Sequence, residues 1–334
     1  MENYVELTRI KTDCHYIYVK DSKSYIQVEA SERDRLSVYF DRRNNAENVI
    51  RSDIFKWFGR RCSNQNIVLV YDRVQKLIPS SNLIIHFHLD KMRKGTVKEF
   101  LSSSCLKNWK SILVEGETIN TEDLDFIMDM ASLERKIMIN VDSMPISFSH
   151  KKTLHFLEMD YHGADWVRVE DLMTIRNSFS VSLISNYFTC DHLNQLICFW
   201  LGCDYCMFRH LTIHMTDPFP VTSIFKNVIH LSTSRLGLQK FFILSHRHEI
   251  VEFPISVISW TGTNFKMSTV PIQGEYEQEA EILNILMRIR QLEEELESGS
   301  KLENPRLNYE LQKSKRQLEN QGVILENGNG TIAF

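Results

Sequence analysis

The strongest constraint on the fold is a run between about residues 166 and 215. It reads in order as helix, apolar strand, capped helix ending Trp200-Leu201-Gly202, and a second apolar strand. A looser copy precedes it at 109–141. A β-α unit of this size cannot bury both its strand face and its helix face alone, so it must stack on neighbours. Stacking gives a curved sheet with helices behind it and leaves strand and loop residues as a continuous surface. Such arrays present recognition surfaces more often than they house active sites.

The rhythm extends along the chain. Apolar strand candidates centre near Val68, Phe87, Leu113, Ile139, Phe156, Leu183 and Thr212. Their intervals, several of about 18–30 residues, overlap those of leucine-rich-type repeats. Helix signals lie between them. Thr96 followed by Glu99 spells a capping box, and Asn120 caps the next helix, with Ile119 and Leu124 as a hydrophobic staple. Phe188, Thr189 and Leu193 repeat that arrangement. The sets Leu124/Ile127/Met128 and Leu193/Leu196/Ile197/Trp200 have helical spacing.

The two ends differ from the middle. Tyr16–Val19 and Tyr25–Val28 flank a polar break and predict a hairpin, with Leu36–Phe40 as a third strand. Ile50–Phe58 suits a short helix and Asn66–Tyr71 a buried strand. After Pro220, Lys240–Leu244, Ile250–Trp260 and Phe265–Ile272 read as strands of a closing element. Ile282, Ile285, Ile289, Leu292 and Leu296 form a short heptad seam. Ser298-Gly299-Ser300 breaks the seam, and Asn304-Pro305 opens a second helix carrying Leu307, Leu311 and Leu318.

The expected fold is therefore α/β: an irregular leucine-rich-repeat-like β-α solenoid with an N-terminal β region and a C-terminal helical hairpin. The expected domains are a small β region at 1–60, repeats at 61–235, a β-rich cap at 236–274, and a hairpin or short coiled coil with a tail at 275–334.

Composition removes several function classes. A net charge of −4 gives no reason to expect nucleic acid. No apolar run approaches the ~18 residues of a membrane span, so no membrane partner is expected. Seven cysteines without a secretory signal read as reduced thiols, and the expected location is cytoplasmic or nuclear. The 12 glycines are about half the average share of ~7%. Neither GxxxxGK[ST] nor GxGxxG occurs, which sets aside phosphate-loop enzymes.

Candidate chemistry is sparse. Cys203-x-x-Cys206 followed by His210-x-x-x-His214, with Cys198 nearby, is the nearest approach to a zinc set. Only three residues separate its pairs, where fingers leave ~12. Strand spacing would also hold His210 and His214 ~13 Å apart. The pairs His86/His88 and His246/His248 could each present two imidazoles on one strand face, with no carboxylate evident beside them. Cys190, next to the Thr189 cap, occupies a helix N-terminus but matches no catalytic signature. Seven arginines at 33, 35, 42, 43, 51, 60 and 61 alternate with acids as a solvated face does. Trp109, Trp166 and Trp200 adjoin element boundaries and read as core. No catalytic, cofactor-binding or metal-ligating residues are expected, no cofactor, and no enzyme.

The central unit also carries a resemblance. The run Glu170-Asp171-Leu172, Val181, Leu183, Phe188-Thr189-x-Asp191-x-Leu193-Asn194-x-Leu196-Ile197-x-x-Trp200-x-Gly202, then Leu211-x-Ile213, resembles the type 2 F-box-associated domain of nematode F-box proteins, here at about 155–215. In that family an N-terminal F-box docks on the Skp1-type adaptor of a cullin–RING ubiquitin ligase, and the associated domain selects the protein to be modified. Residues 1–60 contain no proline and do not look like an F-box, so Skp1 and cullin docking is not expected to carry over. The resemblance implies a protein-recognition module for an unidentified target. The alternative is an oligomeric scaffold self-associating through 275–322.

Overall fold

A computed structural model describes residues 12–21, 23–29, 35–41, 63–145, 147–215, 220–235, 238–298 and 305–332. The helix expected at Ile50–Phe58 and most of the arginine series lie outside these residues. The chain divides into two compact units, Met1–Trp166 and Val167–Phe334. Both are mixed α/β, as the sequence predicts for the class.

The first unit holds β1 (Cys14–Lys20), β2 (Lys23–Glu29), β3 (Arg35–Asp41), β4 (Leu83–His88), β5 (Ser111–Thr118), β6 (Lys136–Ser143) and β7 (Glu158–Tyr161). They lie in the order β7-β6-β5-β4-β1-β2-β3. The expected hairpin and third strand are present: β1, β2 and β3 pair antiparallel. From β1 through β4, β5 and β6 to β7 every pairing is parallel. Parallel neighbours need crossovers. Helices supply two of these, α2 (Thr96–Leu101) between β4 and β5 and α3 (Thr121–Asp129) between β5 and β6. An earlier helix, α1 (Ser63–Leu77), precedes β4.

Two expectations fail here for physical reasons. Asn66–Tyr71 is not a strand but part of α1. Its run of five apolar residues hides a helical stripe: Ile67, Val70, Tyr71 and Val74 are buried at helical spacing, while Leu69 is 51% exposed. The Thr96–Glu99 capping box does not form either. Thr96 is already the first helical residue, and its hydroxyl donates to the Arg93 carbonyl. The helix is capped from a distance, because the buried carboxylate of Asp123 accepts from Gly95 N at 3.0 Å and Lys98 N at 2.8 Å. That tie holds α2 to the start of α3, where Asn120 caps as expected, accepting from Asp123 N at 2.9 Å. Ile119 and Leu124 of the expected staple are both buried.

The second unit holds β8 (Ser178–Leu183), β9 (Phe208–His214), β10 (Leu231–Arg235), β11 (Leu238–Leu244), β12 (Ile255–Thr261), β13 (Asn264–Val270), β14 (Val323–Glu326) and β15 (Asn329–Ile332). Their order is β14-β15-β10-β11-β12-β13-β9-β8. Helices are α4 (Val169–Leu172), α5 (Cys190–Gly202), α6 (Glu277–Ser298) and α7 (Pro305–Asn320). The Thr189 cap forms, accepting from His192 N at 3.3 Å. Leu193, Leu196, Ile197 and Trp200 are buried as expected. β12 begins five residues later than the apolar run suggests, because 246–250 form turns. β13 then pairs antiparallel with β9, extending the sheet.

The helical hairpin is present and breaks where expected, α6 ending at Ser298 and α7 starting at Pro305. Its ridge is wider than a heptad seam. Ala280, Leu283 and Leu286 are buried along with Ile282, Ile289 and Leu292. They pack with Leu231, Phe242, Leu244 and Ile255 of the sheet and with Leu311 and Leu318 of α7. The pairs Arg288–Glu310 (2.8 Å) and Lys315–Glu293 (2.8 Å) link the two helices. β15 adds parallel to β10, with Gly330 opposite Leu231. A Cβ at Gly330 would stand 2.9 Å from a Val323 methyl and 3.0 Å from a Leu231 methyl, so any side chain there must displace its packed neighbours.

Candidate recognition face

Strand alternation in the first unit divides its sheet into two unlike faces. In β1 the residues His15, Ile17 and Val19 are buried and Cys14, Tyr16, Tyr18 and Lys20 are half-exposed. The buried series continues through Ile26, Val38, Ile85, Ile112 and Ile137. The alternate positions point the other way, and strand register aligns them into rows.

One row crosses all seven strands. Tyr39 pairs with Tyr25, Tyr25 with Tyr18, Tyr18 with His86, His86 with Leu113, Leu113 with Met138, and Met138 with Asp160. At ~4.8 Å per strand step the row is about 29 Å long. Tyr39 at one end is 46% exposed and Met138, one strand before the other end, 40%, while His86 at the centre is buried. The rings touch in series: Tyr18 and Tyr25 stack with centroids 5.1 Å apart, Tyr39 lies tilted to Tyr25 at 5.5 Å, and the His86 ring stands edge-on to Tyr18 at 4.8 Å. Stacked rings with few rotatable bonds form a pre-ordered surface that loses little entropy on contact.

His86 locks the centre. Its Nδ1 lies 2.6 Å from the Tyr16 hydroxyl and its Nε2 2.9 Å from Glu115 Oε2. A neutral ring that donates from Nε2 to Glu115 and accepts the Tyr16 proton at Nδ1 satisfies both contacts. Burial pushes the His86 pKa below its ordinary value and outweighs the opposing pull of Glu115. Burial likewise raises the Tyr16, Tyr18 and Tyr25 hydroxyls, so they remain protonated donors.

Charge is unevenly spread over this face. Lys20, Lys23 and Arg35 lie toward β3, with Arg35 bound to Glu29 at 3.1 Å and Lys23 5.6 Å from the Tyr39 ring centre. Toward β7 the alternate positions carry Glu115, Glu117, Asp142, Glu158 and Asp160. Lys136, the single lysine or arginine on the alternate positions of β4–β7, is bound to Glu158. Asp160 Oδ1 is shielded from solvent and accepts no hydrogen bond from the described residues. The nearest imidazole nitrogen, His162 Nε2, stands 3.9 Å away.

The other candidates disperse. Cys203 Sγ lies 3.3 Å from the Phe199 carbonyl and Cys206 Sγ 3.7 Å from that of Phe208, while His210 faces Ser268 across β13. Among the described residues no three His, Cys, Asp or Glu side chains gather as metal ligands would. His246 and His248 lie in turns, His248 Nδ1 being 3.2 Å from the Ser245 carbonyl. Cys190 opens α5 and is half-buried. Trp109 and Trp200 are buried as expected, and Trp166 packs edge-on against Phe148 and Tyr161. The sequence does mark the His86/His88 pair, but not the carboxylate that completes it, since Glu115 is 29 residues away. The i, i+2 doublets Tyr16/Tyr18 and His86/His88 are the signal that identifies this face.

No protein-family model matches the chain, and neither a curated protein nor a solved structure matches it. Among the described residues no helix is long and apolar enough to cross a membrane.

Proposed function

We propose that the chain is a protein-recognition module and that its partner lies along the Tyr39–Tyr25–Tyr18–His86–Leu113–Met138–Asp160 row. The observation that carries this reading is the row itself: rings and apolar side chains aligned in register across six strands, exposed at Tyr39 and Met138 and ended on the seventh strand by the carboxylate of Asp160. Interface cores are enriched in tyrosine and methionine and ringed by polar residues. In this reading the fold is an irregular, leucine-rich-repeat-like β-α array. The successive parallel strands β4 to β7, starting at residues 83, 111, 136 and 158, support that view. The module is similar in role to the substrate-selecting half of an F-box protein, in the cytoplasm or nucleus, and acts by binding rather than by catalysis. Ligase docking forms no part of the proposal.

The test is quantitative affinity purification from the protein's own cells, comparing the native chain with Tyr25→Ala/Met138→Glu. Proteins enriched by the native chain and lost from the variant support the reading. A partner set unchanged by the double substitution contradicts it.

A further inference from the structure

Resting on that reading, we infer that the partner presents an extended basic segment, whose apolar side chains cover Leu113 and Met138 and whose lysine or arginine side chains meet the carboxylates around Asp160. Charge complementarity selects this occupant. Of the five carboxylates on the alternate positions of β5–β7, Lys136 neutralises Glu158 alone. Glu115 bonds to His86, but a neutral imidazole leaves the carboxylate charge in place. Glu115, Glu117, Asp142 and Asp160 therefore form one field of a single sign beside an apolar strip, and such a field steers cations and repels anions.

Asp160 adds a specific acceptor. Its Oδ1 is desolvated and receives no hydrogen bond from the described residues. The Asp160 side chain is 27% exposed although Oδ1 itself is sealed, so a cationic side chain meets the carboxylate from its open side in a charge-assisted contact. The aliphatic stem of the same side chain can lie along Met138, its register neighbour. The length is also informative. An extended chain rises ~3.3 Å per residue, so about nine residues span the row. A nucleic-acid backbone or an anionic lipid surface would meet repulsion at these carboxylates.

The probe is a phage-displayed library of random nonapeptides, selected on the full chain. Enriched peptides are expected to combine lysine or arginine with apolar residues. Their affinity should fall at least ~10-fold in Glu115→Gln/Asp142→Asn/Asp160→Asn, which removes charge while preserving size. Tyr25→Ala/Met138→Ala, which removes the apolar contacts without adding charge, should weaken the binding at least ~10-fold. Enrichment of acidic or uncharged peptides, or basic peptides indifferent to the three carboxylates, overturns the basic-segment inference while leaving row recognition standing. Enriched peptides of any charge that bind Tyr25→Ala/Met138→Ala as tightly as the native chain overturn recognition by the row, and the inference with it. A second triple variant, Glu115→Lys/Asp142→Lys/Asp160→Lys, should reverse the preference toward acidic peptides. A melting curve near the native one shows that either triple variant is folded.

Discussion

The two units use their sheets in opposite ways. In the first, β1 and β2 alternate strictly between buried residues and half-exposed or exposed ones, and one face remains open. In the second, Phe241, Phe242, Ile243 and Leu244 of β11 are all buried in succession. Phe241 meets Phe225 and His230, whereas Phe242 and Leu244 join the α6–α7 hairpin. Covered on both sides, β11 needs an unbroken apolar run; covered on one, β1 needs alternation. The difference teaches where function can sit. A strand with two buried faces has no side chains to spare, and the open face of the first unit has an entire set.

Substitutions should break this symmetry sharply. Phe242→Ala is expected to cost about 3–5 kcal/mol in chemical denaturation, since a large apolar side chain leaves a cavity between sheet and hairpin. Asp123→Ala should cost about 2–3 kcal/mol by the same measurement, because it strips charge-assisted partners from two N-terminal amides of α2. Gly330→Ala is expected to cost about 1–3 kcal/mol by crowding Val323 and Leu231, and a lower melting temperature reports it. On the open face Tyr39→Ala should cost about 0.5–1 kcal/mol, through its lost contact with Tyr25, while weakening partner binding.

Acid sharpens the comparison further. Burial holds the His86 pKa below its ordinary 6.5. Above 6.5 the folded and unfolded chains both carry a neutral ring and the stabilisation is complete. As pH falls through 6.5 the unfolded chain takes up a proton that the folded one resists, so stability declines. His15, also lowered chiefly by burial, adds to the same decline in the first unit. Melting temperatures between pH 7.5 and 5 should therefore fall, and less steeply in His86→Gln than in the native chain.

Much of the architecture is legible in the sequence because it is local. The caps Asn120 and Thr189, the helix faces around Leu124 and Leu193, and the break at Ser298 each depend on residues within a turn or two of one another. What the sequence conceals depends on long-range pairing. Asp123 caps a helix that begins 27 residues before it, a bond that no local motif encodes. Asn66–Tyr71 misleads because five consecutive apolar residues fit a strand and a helix equally well, and only packing decides. The row proposed for recognition is hidden for the same reason. Its tyrosines, histidine, leucine and methionine lie in six separate strands, and register alone brings them into line.

The most direct test is site-specific photocrosslinking in cells, with benzoylphenylalanine placed in turn at Tyr39, at Met138 and at Tyr309, an exposed hairpin residue of the second unit. A common partner should be crosslinked from positions 39 and 138 and not from 309. Crosslinks from 309 alone, or the same products from all three positions, would contradict recognition by the row.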